Sequence, residues 1–498
     1  MPTAPAEDPQ GDTTESPRAG TAVPAGASRV IALLVAAAFV VILNETVMSV
    51  ALPRLMHEFT IGAATAQWMT TAFMLTMAVV IPVTGYLLTR LPLRTVFTVA
   101  MVSFLLGTLL AAVAPTFLVL VAGRVVQAVG TAIMMPLLFT TVLTVVPAHR
   151  RGRTMGVISI VIAVAPATGP TIGGIILDAL DWRWMFWLML PIAALSLALG
   201  VAMIRNVTET QRVPLDVLSV VLSALGFAGL VFGLSSIGAA AEGDALLPPW
   251  IALAVGVAAL AAFTWRQAGL RDHALLDVRA FRVPAFSVAL GMMVIGMMAL
   301  FGTLIVLPIY LQEVVGASTR DTGLALLPGG LVMGVMGLVV GRLFDRLGAR
   351  PLVVPGTVVV AAALWGMTTL TAASPVALLI VWHVLLNAGL SLMFSPLMTA
   401  ALGALPRRLY SHGSAIMSTL QQVAGAAGTA LFITVMTMAT IAGASAHTDP
   451  VVALMDGIHG ALVWGAVISL LAVAGSFLVR SAPAAEESPA PVPQPVDA

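Results

Sequence analysis

VVILNETVMSVALP, residues Val40 to Pro53, ends the first long apolar run of the chain and places Glu45 inside it. From Val30 to Leu43 that run carries no charge at all. About 20 apolar residues, at 1.5 Å rise each, make a helix long enough to cross the hydrocarbon core of a bilayer. A carboxylate in such a helix costs several kcal/mol, roughly, unless it faces a cavity or a partner, so it marks a pathway or a pair. The reading of this stretch therefore decides both the fold class and where function should be sought.

The pattern repeats along all 498 residues, of which 59% are hydrophobic and only 9% charged. Soluble domains carry about 25% charged residues. The apolar runs predict fourteen spans, at 30–52, 66–88, 94–114, 116–146, 152–177, 183–204, 214–237, 247–267, 283–312, 321–343, 349–371, 375–402, 409–440 and 452–479. The chain reads as an all-α membrane protein embedded in a lipid bilayer. The first run is too long for a signal-peptide core and has no cleavage site beside it, so it stays a membrane helix. Residues 1–29 and 481–498, rich in Pro and Ala, read as disordered tails.

Arginine sets the orientation. All 23 basic residues are arginine. With the N-terminus in the cytoplasm, nineteen of them fall on inner segments and tails, while the outer loops hold only Arg54, Arg183 and Arg320. That is the bias of cytoplasmic loops, and an even span count then puts both termini in the cytoplasm. Arg124 belongs to neither side, because it lies within the fourth span. A net charge of +1 leaves no basic domain for nucleic acid. With no cysteine there is no disulfide, thiolate metal site or cysteine nucleophile. No Gly-rich phosphate loop is present, and nothing in the chain reads as an enzyme or a metal site.

The chain repeats internally. GYLLTRLPLR (Gly85 to Arg94) follows the second span and GRLFDRLGAR (Gly341 to Arg350) the tenth, 256 residues later. Pro147 precedes HRRGRTMG and Pro406 precedes RRLYSHG; Gly169 of VAPATG and Gly428 of VAGAAG match at an offset of 259. Residues 30–205 and 283–480 thus read as two related six-helix bundles, and 206–282 as two inserted helices with a cytoplasmic linker. Transporters are often built from such repeats.

On these residues the chain resembles the major facilitator superfamily, and within it the fourteen-helix drug:proton antiporters of the EmrB/QacA type, lincomycin-resistance-like members above all. LNETVMSVALP resembles the first-helix signature, GRVVQAVGTAIMMP the fourth-helix signature and APATGPTIGG the fifth-helix antiporter motif (Pro166, Gly169, Pro170, Gly173, Gly174). WRWMFWLMLPI resembles the start of the sixth helix, GRLFDRLGAR the cytoplasmic loop motif and SAIMSTLQQVAGAAGTAL the thirteenth helix. Four positions depart: Asn44 stands where the signature has Asp, Thr89 where the first loop motif has Asp, Ala128 for Gly, and Met189 for Asn. The resemblance implies a monomeric, proton-coupled exporter of small amphipathic molecules in the bacterial inner membrane, with the proton gradient as energy source and no cofactor. It also implies a cytoplasmic gate at Gly85, Arg90, Arg94, Gly341, Asp345, Arg346 and Arg350.

Glu45 lies eight residues before Pro53, and Arg124 eight after Thr116, so both sit about 12 Å below the outer surface. Equal depth is what a contacting pair requires, and in the family both helices line the central cavity. Burial and a nearby guanidinium act oppositely on a carboxyl, so a motion that alters either would load or release a proton at Glu45. The plainer reading is a permanent buried pair that fixes helix packing. Asn44, Gln127, Met134, Met297, His383, Asn387 and Gln421 are the expected cavity residues. His383 and Asn387 share a helix face, Gln421 offers neutral hydrogen bonds, and the methionines suit a promiscuous apolar site or simply fill gaps. Pro166 and Pro170 with three glycines predict a bendable, closely packed fifth helix. Two other functions fit the same pattern: export of a lipid or self-made metabolite, and a non-transporting membrane sensor.

Overall fold

A computed structural model describes residues 27–61, 63–204, 215–241, 247–270, 273–446 and 449–479. Residues 1–26 and 480–498, and the linker arginines Arg205, Arg212 and Arg271, lie outside the described residues, while 27–29, expected in the tail, open the first helix. Among those described there is no strand. The helices are α1 (Ala27–Val47), α2 (Leu52–Phe59), α3 (Ala63–Arg90), α4 (Leu93–Ala112), α5 (Phe117–Val145), α6 (Arg151–Ala179), α7 (Trp184–Met203), α8 (Val217–Ala241), α9 (Pro249–Leu270), α10 (Pro284–Ile309), α11 (Thr319–Leu347), α12 (Arg350–Met367), α13 (Val376–Gly403), α14 (Tyr410–Ala446) and α15 (Pro450–Ser476). All except the eight-residue α2 correspond to the fourteen spans. Thirteen are long and apolar enough, on the described residues, to cross a membrane, and the remaining long helix is α6.

The first span differs from expectation at its outer end. α1 stops at Val47, a 3₁₀ turn covers Met48–Ala51, and α2 follows with a proline in its first turn. Proline has no N–H to continue the α-helical ladder of α1, so the chain tightens and restarts as a short amphipathic helix. Thr60, in the left-handed region at φ 53°, closes α2.

The repeat seen in the letters recurs in the packing. Within the first half α4 packs on α5, α1 on α6, α3 on α5 and α4 on α7. The second half repeats each pairing, with α12 on α13, α10 on α14, α11 on α13 and α12 on α15. The halves meet along two seams, α6 with α11 and α3 with α14, which the repeat exchanges. Backbones come close at both. A Cβ on Gly341 would lie 3.0 Å from Gly156 Cα, and one on Gly85 would lie 3.2 Å from Ala415 Cβ. The inserted helices α8 and α9 pack on each other, and α8 also lies against α3 and α14, across the second seam.

At the end away from the arginine-rich loops, Glu58 accepts from Trp182 Nε1 at 2.5 Å and from Arg183 at 2.8 Å, while Arg183 also donates to Ala114 O at 3.1 Å. Phe59 and Phe186 pack on the Trp182 ring. The α2 segment is thereby held over the ends of α4, α6 and α7.

The inserted pair has its own clasp. Arg266 donates from Nε at 2.7 Å and from its terminal nitrogen at 3.1 Å to the two oxygens of Asp216, and this bidentate pairing holds the Asp216 carboxyl at about 2. A depressed folded-state value contributes stability above the ordinary Asp range, and that contribution is lost as pH falls toward 2. The difference in thermal midpoint between wild type and Asp216→Asn should stay constant above pH about 5 and shrink on acidification below it.

Candidate functional site: a buried guanidinium and two closed seams

α5 carries Arg124 and Gln127 three residues apart, on one face. Arg124 donates to Gln127 Oε1 at 2.6 Å and to Asn44 Oδ1 of α1 at 3.1 Å. Gln127 in turn donates to Thr108 Oγ1 of α4 at 2.8 Å. The guanidinium lies 4.0 Å from the centroid of the Phe73 ring of α3, a cation–π contact. One buried cation thus touches α1, α3 and α5 directly and α4 through Gln127. Arg124 is 1% exposed, and its Nε has no partner.

Glu45 was expected to pair with Arg124. The structure places the partner one residue earlier, at Asn44, where the family signature has its Asp. Successive residues on a helix are turned about 100° apart, so equal depth did not settle which side chain faces Arg124. Among the described residues Glu45 makes no hydrogen bond and no ion pair within 4 Å. Its charge still lies within electrostatic reach of Arg124, and the side chain is partly exposed. The result is a carboxylate near a cation that is already engaged by neutral acceptors.

The next residue anchors α1. Thr46 Oγ1 bonds back to Leu43 O at 3.1 Å and reaches Ala165 O of α6 at 3.4 Å. Gly169 lies against Thr46, and Gly173 against the Val47 backbone. Gly174 faces open space. The fifth-helix motif therefore gives α1 close access to α6, within one bundle. α6 is helical through Pro166 and Pro170, whose side chains lie outside the described residues.

A narrow cleft of about 20 Å³, room for little more than one water, opens between the bundles, lined by Ser159 and Ile162 of α6, Met293 and Met297 of α10, Met333 of α11, and Ser391, Phe394 and Met398 of α13. Both serine hydroxyls are already engaged, Ser159 with Met155 O at 3.0 Å and Ser391 with Met333 O at 3.1 Å. The wall is thus thioether and hydrocarbon without a charge. Met297 is where it was expected, but Met134 is not on this wall. It lies seven residues after Gln127, on the stripe of α5 that faces α4, and is fully buried.

His383 and Asn387 also face elsewhere. Asn387 donates to His383 O at 2.9 Å, and both side chains press on Gly329 of α11. They belong to the contact between α11 and α13 within the second bundle. Gln421 of α14 is partly buried, and its Nε2 has no partner.

The arginine-rich end is sealed by contacts between the bundles. Asp345, in the last turn of α11, accepts from Gly152 N and Arg153 N at 2.8 Å each. Those N–H groups open α6 and have no partner within their own helix, so the carboxylate caps the helix and its dipole from the opposite bundle. In the other seam Thr89 stands at the equivalent place and shares a 3.1 Å hydrogen bond with Ser411, and Thr140 shares one of 2.8 Å with Ser414. Arg151 donates to the terminal carbonyls of α5, Leu143 O and Val146 O, and lies over the Tyr410 ring of α14. Arg90 donates to Tyr86 Oη at 2.5 Å within α3, and Gly85 and Gly341 are the close-approach points. Arg94, Arg346 and Arg350 are exposed at this end.

Sequence reasoning missed Thr108, Phe73, Ser159 and Met333, and the pairing of Thr89 with Ser411. Isolated threonines and a phenylalanine carry no motif. The offset of 256 that maps Asp345 onto Thr89 was the one signal for the last of these.

Two six-helix bundles packed as repeats, enclosing a cavity and sealed at one end, define a membrane transporter. The chain belongs to the Major Facilitator Superfamily, whose family model matches residues 34–429. It is 40% identical over 462 residues to the lincomycin resistance protein LmrB of Listeria monocytogenes, covering 91% of this chain and 97% of that protein. With the multidrug resistance protein B homolog of Mycobacterium tuberculosis it shares 31% identity over 417 residues, covering 83% and 76%. Among solved structures, the human organic anion transporter MFSD10 superposes with a TM-score of 0.65 at 14% identity, over 91% of this chain and 99% of that one. The proton:xylose symporter XylE gives 0.60 at 16% identity, over 91% and 97%. Both show the same fold.

Arg124→Met should leave Asn44 Oδ1 and Gln127 Oε1 buried without a donor, at about 1–3 kcal/mol each. A drop in the thermal midpoint of the purified protein that Asn44→Leu partly recovers is the expected result. Asp345→Ala, measured the same way, should cost about 1–3 kcal/mol through the two uncapped N–H groups of α6.

Proposed function

We propose that this chain is a proton-coupled antiporter that exports amphipathic drug-like compounds across the bacterial inner membrane by alternating access. The observation that carries the reading is Glu45, an interior carboxylate without a hydrogen-bonded partner, within reach of a cation already held by Asn44 and Gln127. Because no rigid ion pair ties it down, its protonation responds to small changes in hydration and in the distance to Arg124. Arg124 supplies a fixed positive field, and Glu45 carries the proton. The energy source is the proton gradient, no cofactor is needed, the transporter works as a monomer, and it is not an enzyme.

The apolar, thioether-lined wall suits compounds that differ in shape but share an apolar body. Relatives bearing the names lincomycin resistance and multidrug resistance support the cargo class. The arginine-rich end is the cytoplasmic one by the distribution of charge, and both termini lie on that side. In this reading Asp345, with Gly85 and Gly341, forms a cytoplasmic gate, and the state described here is closed toward the cytoplasm. Because both cavity hydroxyls are satisfied within the protein, an apolar lipid or self-made metabolite is the second reading. Susceptibility profiling of a deletion strain separates the two.

Inverted vesicles with an imposed proton gradient test the mechanism through uptake of a cationic fluorescent dye. Wild type should accumulate dye, whereas Glu45→Gln should bind it without gradient-driven accumulation. Pumping by Glu45→Gln at the wild-type rate would make Glu45 structural. If neither protein moves dye, the cargo assignment fails before the mechanism is reached.

A further inference from the structure

Connecting loops normally run over the surface, because buried backbone polar groups need partners. The linker after α9 departs from this: Ala274, Leu275, Leu276, Asp277 and Ala280 are all buried. Two of its N–H groups are held by one side chain. Gln267 of α9, 1% exposed, accepts from Leu275 N at 2.7 Å and Leu276 N at 3.3 Å through Oε1. Its Nε2 donates to Ser219 of α8 at 2.6 Å, and Ser219 donates onward to Asp216 at 2.6 Å. On the other side of the linker, Leu275 O accepts from His412 Nδ1 of α14 at 3.2 Å, which requires the hydrogen on that nitrogen.

His412 is in the first turn of α14, beside Ser411, which bonds Thr89, and its Cα is one of the atoms that Gly85 of α3 packs against. A continuous hydrogen-bonded chain therefore runs from the inserted helices, through the linker, to the segment of α14 that closes the α3–α14 seam. In the α6–α11 seam Asp345 caps α6 from the opposite bundle, whereas the equivalent position of this seam holds the uncharged Thr89.

We propose that residues 273–282 form a strap that makes the inserted helices part of the gate, with Gln267 and His412 as its positioning residues. The strap holds the first turns of α14 in register against α3 and α5, in the seam that has no carboxylate cap. α8, which packs on both α3 and α14, covers the same seam from the side.

The chain has no native cysteine, so a single introduced thiol reports local opening. Ser414→Cys is nearly isosteric at a fully buried gate position that faces Thr140, and its reaction rate with a maleimide measures how often α14 leaves α5. In that background His412→Leu should speed labelling about five- to tenfold, the worth of one lost hydrogen bond, and Gln267→Leu, which loses three, at least as much. His412→Gln, which can still donate to Leu275 O, should react close to the parental rate. Ser469→Cys, buried in α15 away from the gate, should stay slow in every variant. The proposal is overturned if either leucine variant labels at the parental rate, if His412→Gln opens the site as much as His412→Leu, or if Ser469→Cys accelerates in parallel. No transported compound enters the measurement, so its result stands apart from the cargo assignment.

Discussion

The carboxylate of Asp345 on the first N–H groups of α6 is the contact on which the closed arrangement rests. The first N–H groups of a helix have no partner within it, and those of α6 are satisfied by the other bundle. That contact needs the helices to approach closely, which is why Gly152, Gly156, Gly337 and Gly341 line the crossing. Charge, dipole and backbone proximity are thus a single device. It joins residues nearly two hundred positions apart.

Above this seal, the interior is organised around a second unusual charge. Arg124 is surrounded by neutral acceptors and an aromatic face rather than by a carboxylate, so its charge is solvated without being neutralised. The methionine-lined wall on the opposite bundle adds no charge of its own. Whatever field exists inside is therefore set almost wholly by the first bundle, and the second contributes shape and a polarizable surface.

Much of this could be read in the letters. Run length and arginine placement give the helices to within a few residues, and the offsets of 256 and 259 anticipate which helix pairs are equivalent. Depth along a helix is also legible, since it needs only a rise per residue. Azimuth is not, because it depends on how each helix is rolled against its neighbours. Hence Asn44 rather than Glu45 meets Arg124, Met134 faces α4, and His383 with Asn387 faces α11. The early end of α1 and the buried linker after α9 were hidden for a related reason: local composition does not say what another part of the chain will place against it.

The two seams are equivalent by descent of the fold but not by chemistry. One is closed by a carboxylate on a helix dipole, the other by hydroxyl pairs and by the Arg151 guanidinium over the Tyr410 ring. A carboxylate titrates in the acid range, where a hydroxyl pair does not. A molecule with pseudo-twofold geometry thus has two seams that answer differently to acid, and its mechanical symmetry is not matched by a thermodynamic one.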